Sequence, residues 1–223
     1  MKRFDKKDYT EARNRIRNFI KTNKRLPDSC MIRNQDGEPI KLGREEYCGL
    51  FEGYMHFCLK NNREPNYLTL NCRAETPLIV NLQDDKYSCC PASFLMCMMF
   101  LFDYRPESDV KKALGTTVDG TSPDKLVNNA RKLGYKVKRI PREFNSVRKA
   151  LDEYKPVIMH IQTQPATCLG FEHDYGHYIM CYKAANNNYY VICPTRGMKT
   201  CNYLTLNRAT KGRDIGYYTV EIA

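Results

Sequence analysis

Residues Cys89 to Phe102 carry no charged side chain. A helix over this stretch is apolar on every face, so other parts of the fold have to cover it on all sides. Its longest apolar run, Phe94 to Phe102, is well short of the roughly 20 residues that a membrane span needs. The stretch therefore predicts a buried central helix, and a chain of 223 residues that is 42% hydrophobic has enough material to bury it.

After this helix the sequence alternates between helix and strand signals. Ser122 and Pro123 are typical of an N-cap and a first helical residue, and Gly134 is typical of the end of that helix. Further patterns predict a helix at Ser146 to Glu153 and a turn at Asn186, Asn187 and Asn188. They also predict five strands, at Lys136 to Ile140, Pro156 to Gln162, Tyr178 to Tyr182, Tyr189 to Cys193 and Tyr217 to Ile222. A leading helix followed by a mostly antiparallel sheet is an α+β fold.

The N-terminal third contains two similar segments. Helical patterns cover Tyr9 to Lys24 and Tyr47 to Leu59, and each precedes a proline turn, Arg25-Leu26-Pro27 or Arg63-Glu64-Pro65. A shift of 38 positions superimposes the two segments, including their prolines. We predict two diverged copies of one unit that bury their faces against each other. The alternative is two unrelated helices that end in similar turns.

The chain is basic. It has 36 Lys and Arg against 25 Asp and Glu, a formal charge of +11. This surplus attracts nucleic acid, anionic lipid or an acidic polymer, and charge alone does not choose among them. A nucleic-acid-binding protein is therefore one alternative, although the sequence contains no helix-turn-helix, zinc-finger or RNA-recognition motif. The basic N-terminus has no apolar segment behind it, which predicts synthesis in a cytoplasm without a secretory signal peptide.

The cysteine pattern argues against a disulfide framework. There are 11 Cys, an odd number, with an adjacent pair at Cys89 and Cys90 but no Cys-x-x-Cys. Neither a secreted disulfide scaffold nor a zinc ribbon has this pattern, so we expect most of the thiols to be reduced and buried. A zinc site of Cys89, Cys97, His173 and His177 is the alternative, but the strand-like residues after His177 argue against the helix that it would require.

Cys89 is the candidate nucleophile because it begins the apolar helix. The positive end of a helix dipole and its free N–H groups stabilise a thiolate, which predicts a lowered pKa for this thiol. Of the 4 His, His177 begins a strand, from which a ring can project into a cleft. His56 in a helix and His160 in a buried strand favour core or surface roles. Gln83, six residues before Cys89, is the candidate side-chain donor to an oxyanion.

Several landmarks follow one another across the C-terminal part. They are Gln83 with Cys89-x-Pro91-Ala92-Ser93, then Gly120-Thr121-Ser122-Pro123, Leu133-Gly134-Tyr135, Lys155-Pro156-Val157-Ile158, Gly176-His177-Tyr178-Ile179 and a strand that ends in Pro194. In this order they resemble the papain-like C39-type cysteine peptidases. The resemblance implies an α+β, papain-like domain at residues 75–223, in which an N-terminal helix packs on an antiparallel sheet. It also implies that Cys89, His177 and Gln83 are the catalytic residues.

The N-terminal copies carry a second, looser resemblance. The first copy has Ala12-x3-Ile16-x2-Phe19-Ile20-x2-Asn23-x-Arg25-Leu26-Pro27, and the partial second copy ends in Arg63-Glu64-Pro65-Asn66-Tyr67. Both are similar to the pseudomurein-binding repeat. The combination of domains resembles the pseudomurein endoisopeptidases, lytic enzymes of viruses of methanogenic archaea, and implies a small, mainly helical wall-binding domain at residues 1–74.

The resemblance implies a reaction and a partner. The reaction is hydrolysis of the Ala-to-ε-Lys isopeptide cross-links of archaeal pseudomurein, which lyses methanogen cells, and the partner is the wall polymer, with no nucleic acid and no membrane. We expect a monomer that needs no cofactor for the chemistry. Family members are helped by divalent cations such as Ca²⁺, although no carboxylate run here has EF-hand spacing. We expect action on the wall after release from the host cytoplasm.

Two positions depart from the family pattern. Cys90 occupies the place of the usual glycine, and the spacing from Gln83 and the alignment on Pro91 favour Cys89 as the attacking thiol. Cys193 occupies the place of the aspartate that orients the histidine, and a thiol is a poor acceptor for imidazole. Either the pair works without a carboxylate, or another polar residue orients the ring, or the site is weakened and the protein only binds the wall. The candidate orienting residues are Asp174, Asn186, Asn187 and Asn188.

One hexapeptide, Asn-Tyr-Leu-Thr-Leu-Asn, occurs twice, at residues 66–71 and 202–207. We expect both copies to be strand-like. We interpret the repetition as a coincidence, and the alternative is a shared wall-binding edge.

Overall fold

A computed structural model describes residues 2–209 and 216–223. The chain divides into two compact units, one formed by Met1–Ile79 with Met98–Pro106 and one formed by Val80–Cys97 with Glu107–Ala223. The division passes through the apolar helix, so the first unit takes in a short segment that the sequence assigned to the C-terminal domain. Within the described ranges, no helix is long and apolar enough to cross a membrane.

The first unit contains the same strand–helix–strand arrangement twice. Its elements are β1 (Arg3–Asp5), α1 (Lys6–Asn23), β2 (Ser29–Arg33), β3 (Pro39–Gly43), α2 (Arg44–Asn61) and β4 (Tyr67–Thr69). Both predicted helices are present and begin a few residues earlier than the sequence pattern indicated. Of the four short strands that flank them, β4 lies within the first hexapeptide, which was expected to be strand-like. The other three carry too few alternating residues to be predicted from sequence.

The strands of the two copies are exchanged. β1 pairs with β4 and β2 pairs with β3, both antiparallel. Phe4 lies opposite Leu68, and the shift of 38 positions converts this pair into Leu42 opposite Cys30, which is also observed. Each copy therefore pairs its first strand with the last strand of the other copy.

Two buried tyrosines repeat this exchange at the side-chain level. The hydroxyl of Tyr47 donates to the carbonyl of Pro27 over 2.7 Å, and the hydroxyl of Tyr9 donates to the carbonyl of Pro65. Both tyrosine side chains are fully buried. Because the same shift exchanges donor and acceptor partners, the two copies are related by an approximate two-fold axis. This relation supports two copies of one unit over two unrelated helices.

The second unit consists of one antiparallel sheet with helices around it. Its elements are the N-terminal part of α3 (Cys89–Phe100), then α4 (Glu107–Leu114), α5 (Pro123–Asn129), β5 (Tyr135–Ile140), α6 (Phe144–Asp152), β6 (Val157–Gln162), β7 (Gly176–Ala185), β8 (Asn188–Cys193), β9 (Gly197–Asn202), α7 (Tyr203–Arg208) and β10 (Tyr217–Ile222). The strand order is β5-β10-β6-β7-β8-β9, and every pairing is antiparallel. The predicted α+β fold class is confirmed.

The leading helix packs on this sheet. Ser93 on α3 donates its hydroxyl to the carbonyl of Tyr178 on β7 over 3.0 Å, and the ring of Phe94 meets that of Tyr135 on β5 edge to face at 5.6 Å. Val147 and Ala150 of α6 belong to a hydrophobic core that also contains buried residues of the sheet strands. The helix is therefore held at its first turns, which is where Cys89 lies.

The two hexapeptides adopt different structures. Residues 67–69 form β4, because β1 offers a partner strand. Tyr203–Arg208 forms α7, and Asn202 caps this helix by accepting the N–H of Leu204 over 2.9 Å. The prediction of a strand at residues 202–207 was therefore wrong, since an asparagine that can cap a helix N-terminus outweighs the local strand pattern.

The cysteines are mostly reduced and buried, as the sequence predicted. Cys168 and Cys201 form a disulfide with a Cα to Cα distance of 5.5 Å, which their separation of 33 residues gave no means to predict. The other cysteines are free, and only Cys72 is exposed and Cys89 half-buried among them.

A cluster of charges fixes the loop that leads into α3. The ammonium group of Lys111 on α4 contacts the carboxylate of Asp84, lies 2.8 Å from that of Asp85 and lies 3.7 Å from that of Glu107. Asp85 also accepts the hydroxyl of Ser88 over 2.7 Å. Burial opposes ionisation of Asp85, but the hydrogen bonds from Lys111 and Ser88 outweigh it and lower its pKa to about 2.

The two-fold relation predicts equal effects at equivalent tyrosines. Tyr47→Phe leaves the buried Pro27 carbonyl without its donor, and we expect it to lower the free energy of unfolding by about 1–3 kcal/mol. Tyr9→Phe should cost a similar amount. Urea unfolding of the full chain measures both, with Tyr67→Phe on an exposed edge as the control. Equal stability of Tyr47→Phe and Tyr67→Phe would contradict the prediction.

The Lys111 cluster predicts that the loop before α3 becomes mobile when the cation is removed. In Lys111→Met, Asp84 and Asp85 lose their shared partner, and amide hydrogen exchange at residues 84–88 should accelerate about tenfold or more. The neighbouring exposed Lys112→Met is the control. In wild type the protection should persist above about pH 4 and fall as the pH approaches 2, because the pKa of Asp85 is lowered in the folded state. Unchanged exchange in Lys111→Met would refute this role.

Candidate active site

Cys89 is the first residue of α3. The carbonyl of the fully buried Ser88 accepts the N–H of Ala92 over 3.0 Å, which begins the helix. Pro91 falls within the first turn, where its missing N–H costs no helical hydrogen bond. The local sequence thus places the Cys89 thiol at the positive end of the helix.

The thiol of Cys89 is nevertheless harder to ionise than a free cysteine. Burial raises its pKa, and the nearby Cys193 acts in the same direction. Hydrogen bonds from the backbone N–H groups of Tyr178, Cys90 and Cys89 itself lower the pKa but do not outweigh burial. The sequence-based expectation of a lowered pKa was therefore wrong, because helix position predicts the favourable dipole and not the loss of water.

Cys89 and Cys90 occupy different environments. Cys89 lines a cavity of about 650 Å³. Cys90 is fully buried, and burial raises its pKa well above the ordinary thiol value despite a hydrogen bond with the side chain of Thr121. Cys89 is therefore the thiol that a molecule in the cavity can reach.

His177 is the second residue of β7 and is almost completely buried, with 2% of its surface exposed. Burial lowers its pKa to about 4, and the nearby His160 contributes to this shift. The rings of Phe171 and Tyr175 meet it edge to face at 5.2 and 6.0 Å. The imidazole is therefore neutral at pH 7.

Among the described residues, Cys193 makes the hydrogen-bond contact to a ring nitrogen of His177. Its Sγ lies 3.3 Å from Nε2 of His177 and 3.2 Å from the hydroxyl of Thr195. Between Cys89 and His177, both of which are described, the structure contains no direct hydrogen bond. Catalytic hydrogen bonds often form or tighten only when substrate is bound.

The other candidate orienting residues do not contact His177. Asp174 accepts the side-chain N–H of Gln162 over 3.2 Å and the backbone N–H of Gln164 over 3.3 Å. Asn186 and Asn187 form the turn after β7. A strand of 10 residues spans about 30 Å, so this turn and Asn188 lie far from its first residues. The proposed roles of Asp174, Asn186, Asn187 and Asn188 in orienting the ring were therefore wrong.

Gln83 lies next to the end of β8. Its backbone N–H donates to the carbonyl of Pro194 over 2.9 Å. Its side-chain Nε2 donates to the carbonyl of Asp85 over 2.5 Å, and its Oε1 is buried without a hydrogen-bond partner. The expected role of Gln83 as a donor to the oxyanion stays a prediction.

The cavity beside Cys89 is polar and carries more basic than acidic groups. Its charged lining residues are Lys86, Lys125 and Asp119. His160 also lines it, stacked on the ring of Tyr178 at 4.2 Å. The sequence did not indicate that His160 faces the cavity, because the alternation of residues along a buried strand does not show which of them borders a cavity.

The structure offers no metal site in the ranges that it describes. No group of three or more His, Cys, Asp or Glu there is arranged to hold an ion. His177 lies on a strand, so His173 and His177 do not share the helix that the zinc alternative required. The divalent cation that the resemblance implied stays a prediction.

Solved structures with this fold include a double glycine motif protease from an AMS/PCAT transporter, in complex with the leader peptide. It is 19% identical to this chain with a TM-score of 0.51, and the match covers 68% of this chain and 94% of that one. The peptidase domain of Streptococcus ComA, a bi-functional ABC transporter involved in quorum sensing, is 18% identical with a TM-score of 0.50, over 64% and 96% of the two chains. At this identity the likeness shows the fold alone. No curated protein matches the chain.

The sequence itself shows the family. A model described as the Peptidase C39 family matches residues 78–209. This range is more than half of the chain and includes Cys89, His177 and Cys193. The chain thus belongs to the C39 peptidase family and is a cysteine peptidase with a papain-like fold.

Proposed function

We propose that Cys89 is the nucleophile of this peptidase and that His177 is its general base and acid. The observation that carries the proposal is the position of the Cys89 thiol, at the N-terminus of α3 and on the wall of the cavity. A neutral imidazole, whose pKa is about 4, is able to accept the thiol proton at pH 7. No neighbouring thiol shares this access, since Cys90 and Cys193 are fully buried.

The reaction begins from an uncharged pair. As the Sγ of Cys89 attacks the substrate carbonyl carbon, His177 takes the thiol proton, and the backbone N–H of Cys89 stabilises the oxyanion, with Gln83 as the predicted second donor. His177 then gives that proton to the leaving amine as the C–N bond breaks, which leaves a thioester on Cys89. Water attacks the thioester carbonyl, the C–S bond breaks, and the carboxylic acid and the free thiol are formed.

For the substrate we propose the Ala-to-ε-Lys isopeptide cross-link of pseudomurein, cleaved during lysis of methanogen cells. The support is the first unit, whose two exchanged copies resemble the pseudomurein-binding repeat. The net charge of +11 and the basic residues Lys86 and Lys125 at the cavity suit a wall polymer whose peptides carry carboxylates. A binding protein without activity is the second candidate, because Cys193 replaces a carboxylate beside His177.

Cleavage of isolated pseudomurein tests both candidates. Wild type should lower the turbidity of the wall suspension and release amino groups under reducing conditions. Cys89→Ala and His177→Ala should lose at least about a thousandfold in rate, because each removes a group that takes part in bond making or proton transfer. Cys90→Ala should remain active, since this thiol does not reach the cavity.

Wall binding by the same variants separates binding from chemistry. Sedimentation with the wall should be equal for wild type, Cys89→Ala and His177→Ala. Binding without any cleavage by wild type would establish the binding protein instead. Loss of activity in Cys90→Ala, with Cys89→Ala active, would reverse the assignment of the two thiols.

The pKa shifts predict how the reactivity of Cys89 depends on pH. Because burial raises its thiol pKa, the rate of alkylation by iodoacetamide should rise about tenfold per pH unit from pH 6 to 9, without a plateau. Cleavage should fall only below about pH 4, where His177 becomes protonated. Peptide mass spectrometry follows Cys89, with the exposed Cys72 as the internal reference. A neutral-pH plateau in alkylation would show a thiolate–imidazolium pair and contradict the neutral one.

A further inference from the structure

We propose that Cys193 is the positioning residue of the catalytic histidine, and that Thr195 completes this contact from the other side. The proposal rests on the proposed function, since it takes His177 as the base for Cys89. It assigns to a thiol the task of orienting an imidazole, which sites of this kind give to a carboxylate or an amide.

The geometry of the contact supports a hydrogen bond. The distance of 3.3 Å between the Sγ of Cys193 and Nε2 of His177 is within the reach of a sulfur hydrogen bond. Cys193 is fully buried and His177 is 2% exposed, so water does not compete for either atom. The hydroxyl of Thr195 lies 3.2 Å from the same sulfur. The sulfur is therefore held between the ring and the hydroxyl.

The contact also selects a tautomer. When Nε2–H donates to the Sγ of Cys193, Nδ1 keeps its lone pair and is free to take the proton of Cys89. When the thiol of Cys193 donates to Nε2 instead, Nδ1 carries the hydrogen and cannot act as a base. In the first arrangement the hydroxyl of Thr195 can also donate to the Sγ of Cys193. The sulfur then accepts two hydrogen bonds, one from His177 and one from Thr195. We assign this arrangement to the resting enzyme.

The backbone holds Cys193 in place. β8 pairs with β7 on one side and with β9 on the other, and Cys193 itself lies opposite Gly197. The next residue, Pro194, accepts the backbone N–H of Gln83. The Sγ therefore projects toward His177 from a segment that is fixed on both sides.

A thiol orients the ring without charging it. The titratable side chains near His177 are His160 on β6, Tyr175 before β7, Cys193 on β8 and Cys89 on α3. Arg196 places a cation over the ring of Phe171 at 5.2 Å, and Phe171 in turn meets the ring of His177. None of these groups is a carboxylate that would stabilise an imidazolium. An Asp at position 193 would supply one, so it should convert the neutral pair toward a thiolate and an imidazolium.

The experiment compares variants at position 193 in the full chain. Cys193→Ala should lower kcat about tenfold on a synthetic peptide with an Ala-to-ε-Lys isopeptide, at unchanged KM, because one hydrogen bond to the ring is lost. Cys193→Ser and Cys193→Asn, which both offer an oxygen acceptor, should recover kcat to within about threefold of wild type. Cys181→Ala is the matched control, since Cys181 is another fully buried thiol on the same sheet without a contact to His177.

A second readout does not depend on the substrate. In Cys193→Asp, alkylation of Cys89 by iodoacetamide should become appreciable at least one pH unit lower than in wild type, because the carboxylate favours the imidazolium beside the thiolate. A side chain at position 193 that did not face the ring would not move this profile. Should Cys193→Asp fail to fold, the Ser and Asn variants decide the question through kcat.

The outcomes separate this proposal from the proposed function. Equal losses of kcat in Cys193→Ala, Cys193→Ser and Cys193→Asn would overturn it, as would full activity of Cys193→Ala with an unchanged alkylation profile. If wild type cleaves no isopeptide but the profile of Cys193→Asp shifts, the proposed isopeptide activity is overturned, while the contact of position 193 with the ring is supported.

Discussion

The loss of water around α3 determines the chemistry at its first residue. Every residue from Cys90 to Phe102 is buried, and the N-terminal thiol of Cys89 is enclosed with them to a large extent. Two opposing effects act on that thiol, since N–H groups at the helix N-terminus stabilise its charge and burial penalises it. The effect of burial is the larger one, so the pKa of Cys89 is raised, and burial also lowers the pKa of His177. The resting site is consequently uncharged, although it contains an acid and a base.

An uncharged site explains why a thiol can stand where a carboxylate is usual. A carboxylate beside the ring stabilises imidazolium, which matters most when the resting enzyme stores an ion pair. In the mechanism that we propose, charge develops only as the thiol proton moves, and the helix N-terminus stabilises the oxyanion that forms at the same time. What the ring needs from its other side is an acceptor that fixes its tautomer and direction. The Sγ of Cys193 meets that need at 3.3 Å.

The sequence predicted elements whose signals are local and missed properties that depend on distant partners. The buried helix, the antiparallel sheet and the position of Cys89 at a helix start follow from composition, period and caps. The strand at residues 202–207 was wrong because one hexapeptide has a partner strand in the first unit and a helix cap in the second. The contact of Cys193 with His177, the cavity position of His160 and the raised pKa of Cys89 all depend on neighbours far away in the chain.

The identities between the two N-terminal copies have a structural explanation. At a shift of 38 positions the copies share Tyr9 with Tyr47, Phe19 with Phe57, Asn23 with Asn61, Arg25 with Arg63 and Pro27 with Pro65. The tyrosines and prolines make the reciprocal hydrogen bonds, the asparagines donate to the carbonyls of the phenylalanines, and each arginine stacks on its phenylalanine at 5.2 or 5.1 Å. These shared residues thus stabilise the C-terminal end of each helix and link the two copies to each other.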